Sequence, residues 1–258
     1  MSQTPAPTPP VASPLPPVVL PSHPSVDSPS HPPVDSPSHP PADPGVYRPG
    51  YFETRLAPNE HRSRIWEHIC EYLKRWIAPD ASVLELGAGW CDFANTVTAS
   101  RVVAMDIDAT VNGAARDGVQ AVVGDCTDLS PFAAGEFDVV FASNLLEHLE
   151  RPDAGRLLAE ARRVLRPGGS LILLQPNFRL NPGRYFDDFT HVAIYTDRSL
   201  QDYLTSEGWR VTEARPRFLP LTMKSRASGL TFLVPWYLRS PVKPLAGQML
   251  VIATPSGA

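Results

Sequence analysis

Apolar residues after position 50 follow two patterns that alternate along the chain. Short, nearly unbroken apolar runs occupy residues 83–86, 102–105, 137–142 and 171–174. Runs of this kind are typical of central strands that are buried on both faces of a parallel sheet. Between them, residues 65–76 and 157–164 carry apolar side chains at helical spacing. The alternation predicts an α/β fold, with a doubly wound, mainly parallel sheet and helices on both faces.

The most informative boundary is the turn at Gly87 and Gly89, directly after the first predicted strand. Glycine lets the backbone turn sharply and leaves no side chain between the backbone and a ligand. A helix is predicted over residues 92–97, so that its first N–H groups point into the same space. Asp106 ends the next predicted strand, about 20 residues after the glycines, where folds of this kind hold a ribose hydroxyl pair. We therefore predict a nucleotide-type cofactor site at these strand ends.

The turn and its flanks, ELGAGWC at residues 85–91, resemble the first motif of class I S-adenosylmethionine-dependent methyltransferases. Cys91 stands where that family has its third glycine. Residues 121–126, 137–144 and 165–174 are similar to the family's third strand, its fourth strand, and the turn into its fifth. The resemblance extends over residues 47–258 in its order of elements. It implies a Rossmann-like sheet of seven strands whose last strand is antiparallel.

The resemblance also implies the cofactor, S-adenosyl-L-methionine, and the residues that hold it. Asp106 would bind the ribose, and Asp125 would accept a hydrogen bond from the adenine amino group. Asn144, at the tip of the fourth strand, would face the methionine part of the cofactor. The cofactor-binding residues predicted in this way are Glu85, Gly87, Ala88, Gly89, Asp106, Ile107, Asp125, Cys126 and Asn144.

The acceptor side is predicted from the residues that follow the fourth and fifth strands. Asn144 is not followed by the Pro-Pro-aromatic turn with which amino-methylating nucleic-acid enzymes grip a flipped base, which favours a small-molecule acceptor. Residues 175–191 form a polar and aromatic connection where the family builds acceptor pockets. His191 is the first candidate for a base because imidazole titrates near neutral pH, and Asp188 and His148 are the second candidates. A packed or hydrogen-bonding role for His191 is an equally good interpretation.

Glu147 and His148 raise the question of a metal. Certain relatives, including small-RNA 2′-hydroxyl methyltransferases and ubiquinone-pathway O-methyltransferases, carry Glu-x-x-Glu-His and hold a divalent metal there. Here Asn144 replaces the first Glu. Glu-His also follows the fourth strand in metal-free members of the family. From the sequence we therefore assign no metal ligand.

The start of the chain has a different composition from the rest. Of the 30 prolines, 17 lie before residue 50, and no Lys or Arg precedes Arg48. An eight-residue repeat begins as PSHPSVDS and runs through residues 21–44. This composition favours extended polyproline II conformations over a packed core. We predict a disordered tail over residues 1–45, which could dock a proline-reading domain, and a methyltransferase domain over residues 46–258. The repeat histidines are interpreted as incidental: His23, His31 and His39.

Charge and hydropathy limit the partners. The formal net charge of −4 and the lack of a basic run argue against nucleic acid as the main partner. No apolar stretch reaches the length of about 20 residues that a transmembrane helix needs, and proline interrupts every apolar run near the start. We therefore expect a cytoplasmic protein. The aromatic and basic insert at residues 219–245 could receive an extended apolar acceptor or make peripheral contact with a membrane.

These patterns predict a methyltransferase that uses S-adenosyl-L-methionine to methylate oxygen on a small molecule, a sugar or a glycolipid-type acceptor. Two alternatives stay open. One is methylation of an RNA end or a protein, and the other is a non-catalytic cofactor-binding module whose tail recruits partners. The presence of Gly87, Gly89, Asp106 and Asp125 argues against a loss of catalysis.

Overall fold

A computed structural model of the chain describes residues 60–220 and 232–257. The predicted tail and part of the insert lie outside these residues. Seven strands form one sheet in the order β3-β2-β1-β4-β5-β7-β6. The strands are β1 Ser82–Leu86, β2 Arg101–Asp106, β3 Val119–Val123, β4 Phe137–Ser143, β5 Leu165–Pro176, β6 Trp209–Pro220 and β7 Ala246–Pro255.

The pairing of the strands confirms the predicted fold. Strands β1 to β5 pair in parallel, and β7 is antiparallel to both β5 and β6. The strand order reverses between β1 and β4, which is the point where open α/β sheets leave a crevice above their carboxyl ends. Both β1 and β4 therefore deliver the residues that follow them to the same edge of the sheet.

Helices cover both faces of the sheet. On one face Leu84 packs in a cluster with Leu157 and Leu200, and on the other Val83 packs with Ile69. All five side chains are fully buried, which explains why β1 is an unbroken apolar run. Among the described residues, no helix has the length and apolarity to cross a membrane. The helices are α1 Glu60–Leu73, α2 Val111–Ala114, α3 Arg151–Val164, α4 Pro182–Tyr185, α5 Asp197–Ser206 and α6 Val234–Arg239, with 3-10 turns at Leu146–His148 and Phe178–Leu180.

Two predicted helices differ in the structure. Residues 89–96 form consecutive turns instead of an α-helix. The backbone of Cys91 has a φ of +56°, so a continuous helical ladder cannot run through this position. The sequence predicts a helix that opens at Leu145 and breaks at Pro152. In the structure Pro152 lies in the first turn of α3, where its missing N–H needs no partner.

Candidate active site

The glycine turn after β1 is held against two other parts of the sheet edge. Gly87 and Gly89 have φ values of +67° and +54°, a conformation that glycine adopts without strain. The Ala88 N–H donates to the Met105 carbonyl oxygen over 3.0 Å and ties the turn to β2. A Cβ atom on Gly87 would lie 3.0 Å from Cδ1 of Leu145. The turn is therefore bare backbone on one side and packs directly on the segment after β4 on the other.

Cys91 keeps a left-handed backbone at the position where the family motif has glycine. Its φ is +56°, and its side chain is buried. The Cys91 N–H donates to the Ala88 carbonyl oxygen over 2.8 Å. The turn thus retains a left-handed residue here, although the residue carries a Cβ.

Asp106 connects the end of β2 to the glycine turn. Its side-chain oxygens accept the Gly89 N–H at 2.7 Å and the Asp108 N–H at 2.9 Å, and the residue is 8% exposed. Burial raises the pKa of Asp106, while the backbone N–H groups of Asp108 and Gly89 act in the opposite direction. A carboxylate oxygen has a second lone pair, so each oxygen can still accept from a ribose hydroxyl.

Glu85 supports the turn from below. Its Oε2 accepts the Ala94 N–H at 3.0 Å, and the residue is buried. Burial raises the pKa of Glu85 well above its ordinary value. The contact seen for Glu85 therefore fixes the backbone of the turn region, and a direct contact with the cofactor remains a prediction.

The other predicted cofactor residues lie at the ends of the neighbouring strands. Asp125 is exposed after β3, and its Oδ1 accepts the Thr127 N–H at 2.8 Å. Ile107, directly after β2, is 43% exposed, and Cys126 is half-buried. Asn144, directly after β4, has a φ of +49°, and its Oδ1 accepts from Nε2 of Gln248 at 2.9 Å. Because β1 to β4 are parallel, these residues share one edge of the sheet.

The three residues predicted as candidates for acid–base chemistry lie together. Nδ1 of His148 is 3.2 Å from the Thr190 carbonyl oxygen and 3.0 Å from Thr190 Oγ1. The Thr190 hydroxyl donates to Oδ1 of Asp188 at 2.6 Å. The ring centres of His148 and His191 are 4.9 Å apart. The structure thus brings His148 together with residues that lie 40 or more positions away.

Glu147 lies between the two imidazoles. Its Oε1 is 4.0 Å from Nε2 of His148 and 4.0 Å from Nε2 of His191, and the residue is 1% exposed. Its backbone carbonyl accepts N–H groups from residues 192 and 193, which holds the His191 segment on the 3-10 turn. Burial, together with the charge of Asp188, raises the pKa of Glu147 to about 8. Burial and the neighbouring His191 lower the pKa of His148 to about 4.

Sequence reasoning did not assign Thr190 and Gln248 to the site. The spacing of Asp188 and Thr190 is typical of a turn in which an aspartate accepts from a group two residues later, and that spacing is a usable signal. Gln248 comes from β7, and no local pattern indicates its contact with Asn144.

Comparison with protein families matches residues 84–173 to the family described as methyltransferase domain. The ubiquinone/menaquinone biosynthesis C-methyltransferase UbiE of Dinoroseobacter shibae is 34% identical over 136 residues, which are 46% of this chain and 52% of the relative. The sarcosine/dimethylglycine N-methyltransferase of Halorhodospira halochloris is 32% identical over 138 residues, which are 49% of each chain. The chain thus spans about half the length of these curated relatives.

Solved structures with the same fold cover more of the chain. A methyltransferase of Haloferax volcanii, in complex with the Trm112 methyltransferase activator, gives a TM-score of 0.58 at 18% identity and covers 76% of this chain and 91% of its own. A SAM-dependent methyltransferase from Archaeoglobus fulgidus gives 0.53 at 16% identity and covers 73% and 93%. At these identities the likeness shows the fold. Together with the family match to the glycine turn and its neighbouring strands, it supports a class I S-adenosylmethionine-dependent methyltransferase domain.

Proposed function

We propose that the domain transfers the methyl group of S-adenosylmethionine to an oxygen atom of a small-molecule acceptor. The observation that carries this proposal is the convergence of Asp188 and His191 on Glu147 and His148, which lie in the 3-10 turn after β4. A hydroxyl group is a weak nucleophile until it loses its proton. A cluster of proton-binding groups beside the cofactor edge provides a route for that proton.

The residues at the cofactor edge suit the predicted cofactor. The left-handed turn at Gly87 and Gly89 leaves bare backbone above β1, and Asp106 places a nearly buried carboxylate at the end of β2. We assign Asp106 to the ribose hydroxyls and Asp125, which is exposed after β3, to the adenine amino group. When bound, the cofactor supplies a methyl group on a positively charged sulfur.

The chain's own contribution to transfer is alignment and proton removal. The contact of Leu145 with Gly87 fixes the acceptor segment relative to the cofactor turn, and such alignment supplies a large part of rate enhancement in group transfer. The new carbon–oxygen bond forms as the carbon–sulfur bond breaks and sulfur keeps the electron pair. The acceptor proton leaves through the cluster, with His191 the first candidate to receive it.

The methylated atom is not carried over from the relatives. The two curated relatives are named as a C-methyltransferase and an N-methyltransferase. An amine needs no dedicated base once it is neutral, whereas an alcohol or phenol does. The buried cluster therefore favours oxygen.

Exposed apolar side chains near the cluster favour an acceptor with an apolar part. Phe186, Phe189, Val192 and Ile194 flank His191 and are 41% to 63% exposed. Apolar surface of this kind suits a hydroxylated aromatic or a lipid-linked sugar.

Transfer from S-adenosylmethionine with a ¹³C-labelled methyl group tests the proposal. The full chain is incubated with pools of hydroxylated aromatics, sugars and lipid-linked sugars, and the products are examined by carbon NMR. The expected result is a methoxy signal that depends on the protein. Transfer only to nitrogen or carbon, on acceptors that offer all three atoms, would contradict the assignment to oxygen.

A further inference from the structure

The carboxylate of Glu147 is buried without a hydrogen-bond partner for either oxygen among the described residues. It is 1% exposed. Moving a carboxylate out of water costs several kcal/mol unless a positive charge or hydrogen bonds compensate for it. Within residues 60–220 and 232–257, the groups that approach Glu147 within salt-bridge distance are the imidazoles of His148 and His191, both at 4.0 Å. That separation is too long for a hydrogen bond.

The hydrogen bonds of His148 determine which of its nitrogens faces Glu147. Its Nδ1 lies 3.2 Å from the carbonyl oxygen of Thr190. A carbonyl oxygen only accepts, so Nδ1 carries the proton of a neutral imidazole and Nε2 presents a lone pair. The Nε2 lone pair therefore faces the Glu147 carboxylate, and both groups are electron donors.

Two electron donors that face each other across 4.0 Å need a proton or a cation between them. One ligand atom from each of Glu147, His148 and His191 lies within 4.8 Å of the others. Ligand atoms on a tetrahedral ion with bonds of about 2.1 Å are roughly 3.4 Å apart. Shifts of a few tenths of an ångström would therefore bring all three onto one ion.

We propose that Glu147, His148 and His191 bind a divalent transition-metal cation and leave one coordination position open for the acceptor hydroxyl. Imidazole donors favour Zn²⁺, Fe²⁺ or Co²⁺ over Mg²⁺ or Ca²⁺. Three protein ligands are the usual set of a metal site that keeps an open position.

The surroundings of the cluster support the assignment. Metal-bound histidines commonly donate their other ring N–H to a carbonyl oxygen, as His148 does to Thr190. Thr190 is in turn held by Asp188. Asn144 is not part of the ligand set, because its Oδ1 already accepts from Gln248.

The role of the cation in transfer rests on the proposed function, whereas its binding does not. A hydroxyl on a divalent cation loses its proton far more readily than in water. The proton would then pass to water, and His191 would be a ligand instead of the base. The oxygen would attack the methyl carbon while sulfur keeps the electrons of the broken bond.

Metal titration of the full chain tests the site without an acceptor. To keep the repeat histidines out of the titration, the background chain carries the substitutions His23→Gln, His31→Gln and His39→Gln. After chelator treatment and dialysis, this chain is titrated with Zn²⁺ by calorimetry and with Co²⁺ by visible absorption. We expect one site with micromolar or tighter affinity and a Co²⁺ spectrum of four or five coordination.

Three variants in the same background complete the test. Glu147→Gln and His191→Gln should each weaken Zn²⁺ binding at least tenfold, and His68→Gln on α1 should leave it unchanged. S-adenosylmethionine binding to each variant reports that the fold is retained and separates this test from the proposed function. An unchanged affinity in both site variants, or displacement of Co²⁺ by an equal concentration of Mg²⁺, would overturn the proposal.

Discussion

Two buried carboxylates lie on the same edge of the sheet and differ in how their charge is compensated. Asp106 is 8% exposed and accepts two backbone N–H groups. Glu147 is 1% exposed and lacks a hydrogen-bond partner for either oxygen among the described residues. The charge of the Asp106 carboxylate is already compensated within the fold, and its remaining lone pairs can bind a ligand. Glu147 is complete only with a proton or a cation.

This difference in compensation indicates that Asp106 serves to bind and position a ligand, whereas Glu147 serves the chemistry of the reaction. Backbone N–H groups hold Asp106 in place whether or not a ligand is present, and such preorganisation lowers the entropic cost of binding. The Glu147 carboxylate accepts no such N–H group among the described residues, so its burial beside two imidazoles is more readily explained by chemistry at the acceptor. The comparison can be tested one residue at a time.

The largest effect is expected from Glu147→Gln in metal-free protein. The pKa of Glu147 is about 8 in the folded state, above its value of about 4.5 in an unfolded chain. The folded state therefore holds the proton more tightly, and wild-type stability falls as the pH rises from about 4.5 to 8. Glu147→Gln should remove this slope and be more stable at pH 8, by an amount on the order of a few kcal/mol.

Chemical denaturation between pH 6.5 and 8, in the presence of chelator, is the appropriate measurement. The pKa of His148 is about 4, so this histidine is neutral in the folded state throughout that window. The other groups that face Glu147 are His191 and Asp188, and both are unchanged in the variant. If the free energy of unfolding depends on pH in the same way for wild type and variant, Glu147 does not titrate with a raised pKa, and the prediction is contradicted.

The next largest effect is expected from Asp106→Asn, which should weaken cofactor binding. The amide group would place N–H donors against the N–H groups of Gly89 or Asp108 and would remove the charge that holds the ribose. Hydrogen bonds to a charged group contribute about 1.5–3 kcal/mol, so affinity for S-adenosylmethionine should fall roughly ten- to hundredfold. Calorimetric titration measures this directly, and an unchanged affinity would remove Asp106 from the cofactor site.

Gly87→Ala tests the contact between the two regions. Alanine at a φ of +67° costs about 1–2 kcal/mol, and its Cβ would press on Leu145. Affinity for S-adenosylmethionine should fall about tenfold. Gly118→Ala is the matched control, because its φ is +91° and nothing lies within 4 Å of the added Cβ. The prediction is contradicted if both variants bind the cofactor alike.

The smallest effect is expected from Asp125→Ala. One exposed hydrogen bond to the adenine amino group contributes about 1 kcal/mol, or roughly a fivefold change in cofactor affinity. Asp128→Ala is the control, since Asp128 is also exposed and accepts the N–H two residues later, as Asp125 does. Equal affinities of the two variants would place the adenine elsewhere.

The parts of the molecule that could be predicted from the sequence are those with local causes. Strand β1 is buried on both faces, so an apolar run in the sequence predicts it. The position of Asp106 could be predicted because this residue ends the next strand. The left-handed Cys91 could not be predicted, because a residue with a Cβ rarely adopts that conformation.

The cluster around Glu147 depends on contacts between residues that lie far apart in the sequence. Glu147 and His191 meet because the backbone N–H groups of residues 192 and 193 donate to the Glu147 carbonyl. That pairing spans helix α3, strand β5, a 3-10 turn and helix α4, and no periodicity in the sequence encodes it. His148, Asp188 and His191 were each named as candidates, but their common location was visible only in the structure.

Calorimetric titration of the full chain with S-adenosylmethionine and S-adenosylhomocysteine, with NAD as the control ligand, tests the central claim most directly. We expect micromolar binding of both sulfur ligands, which corresponds to about −8 kcal/mol, and no binding of NAD. A folded sample that binds neither sulfur ligand would contradict the assignment of this sheet edge to a methyl-transfer site.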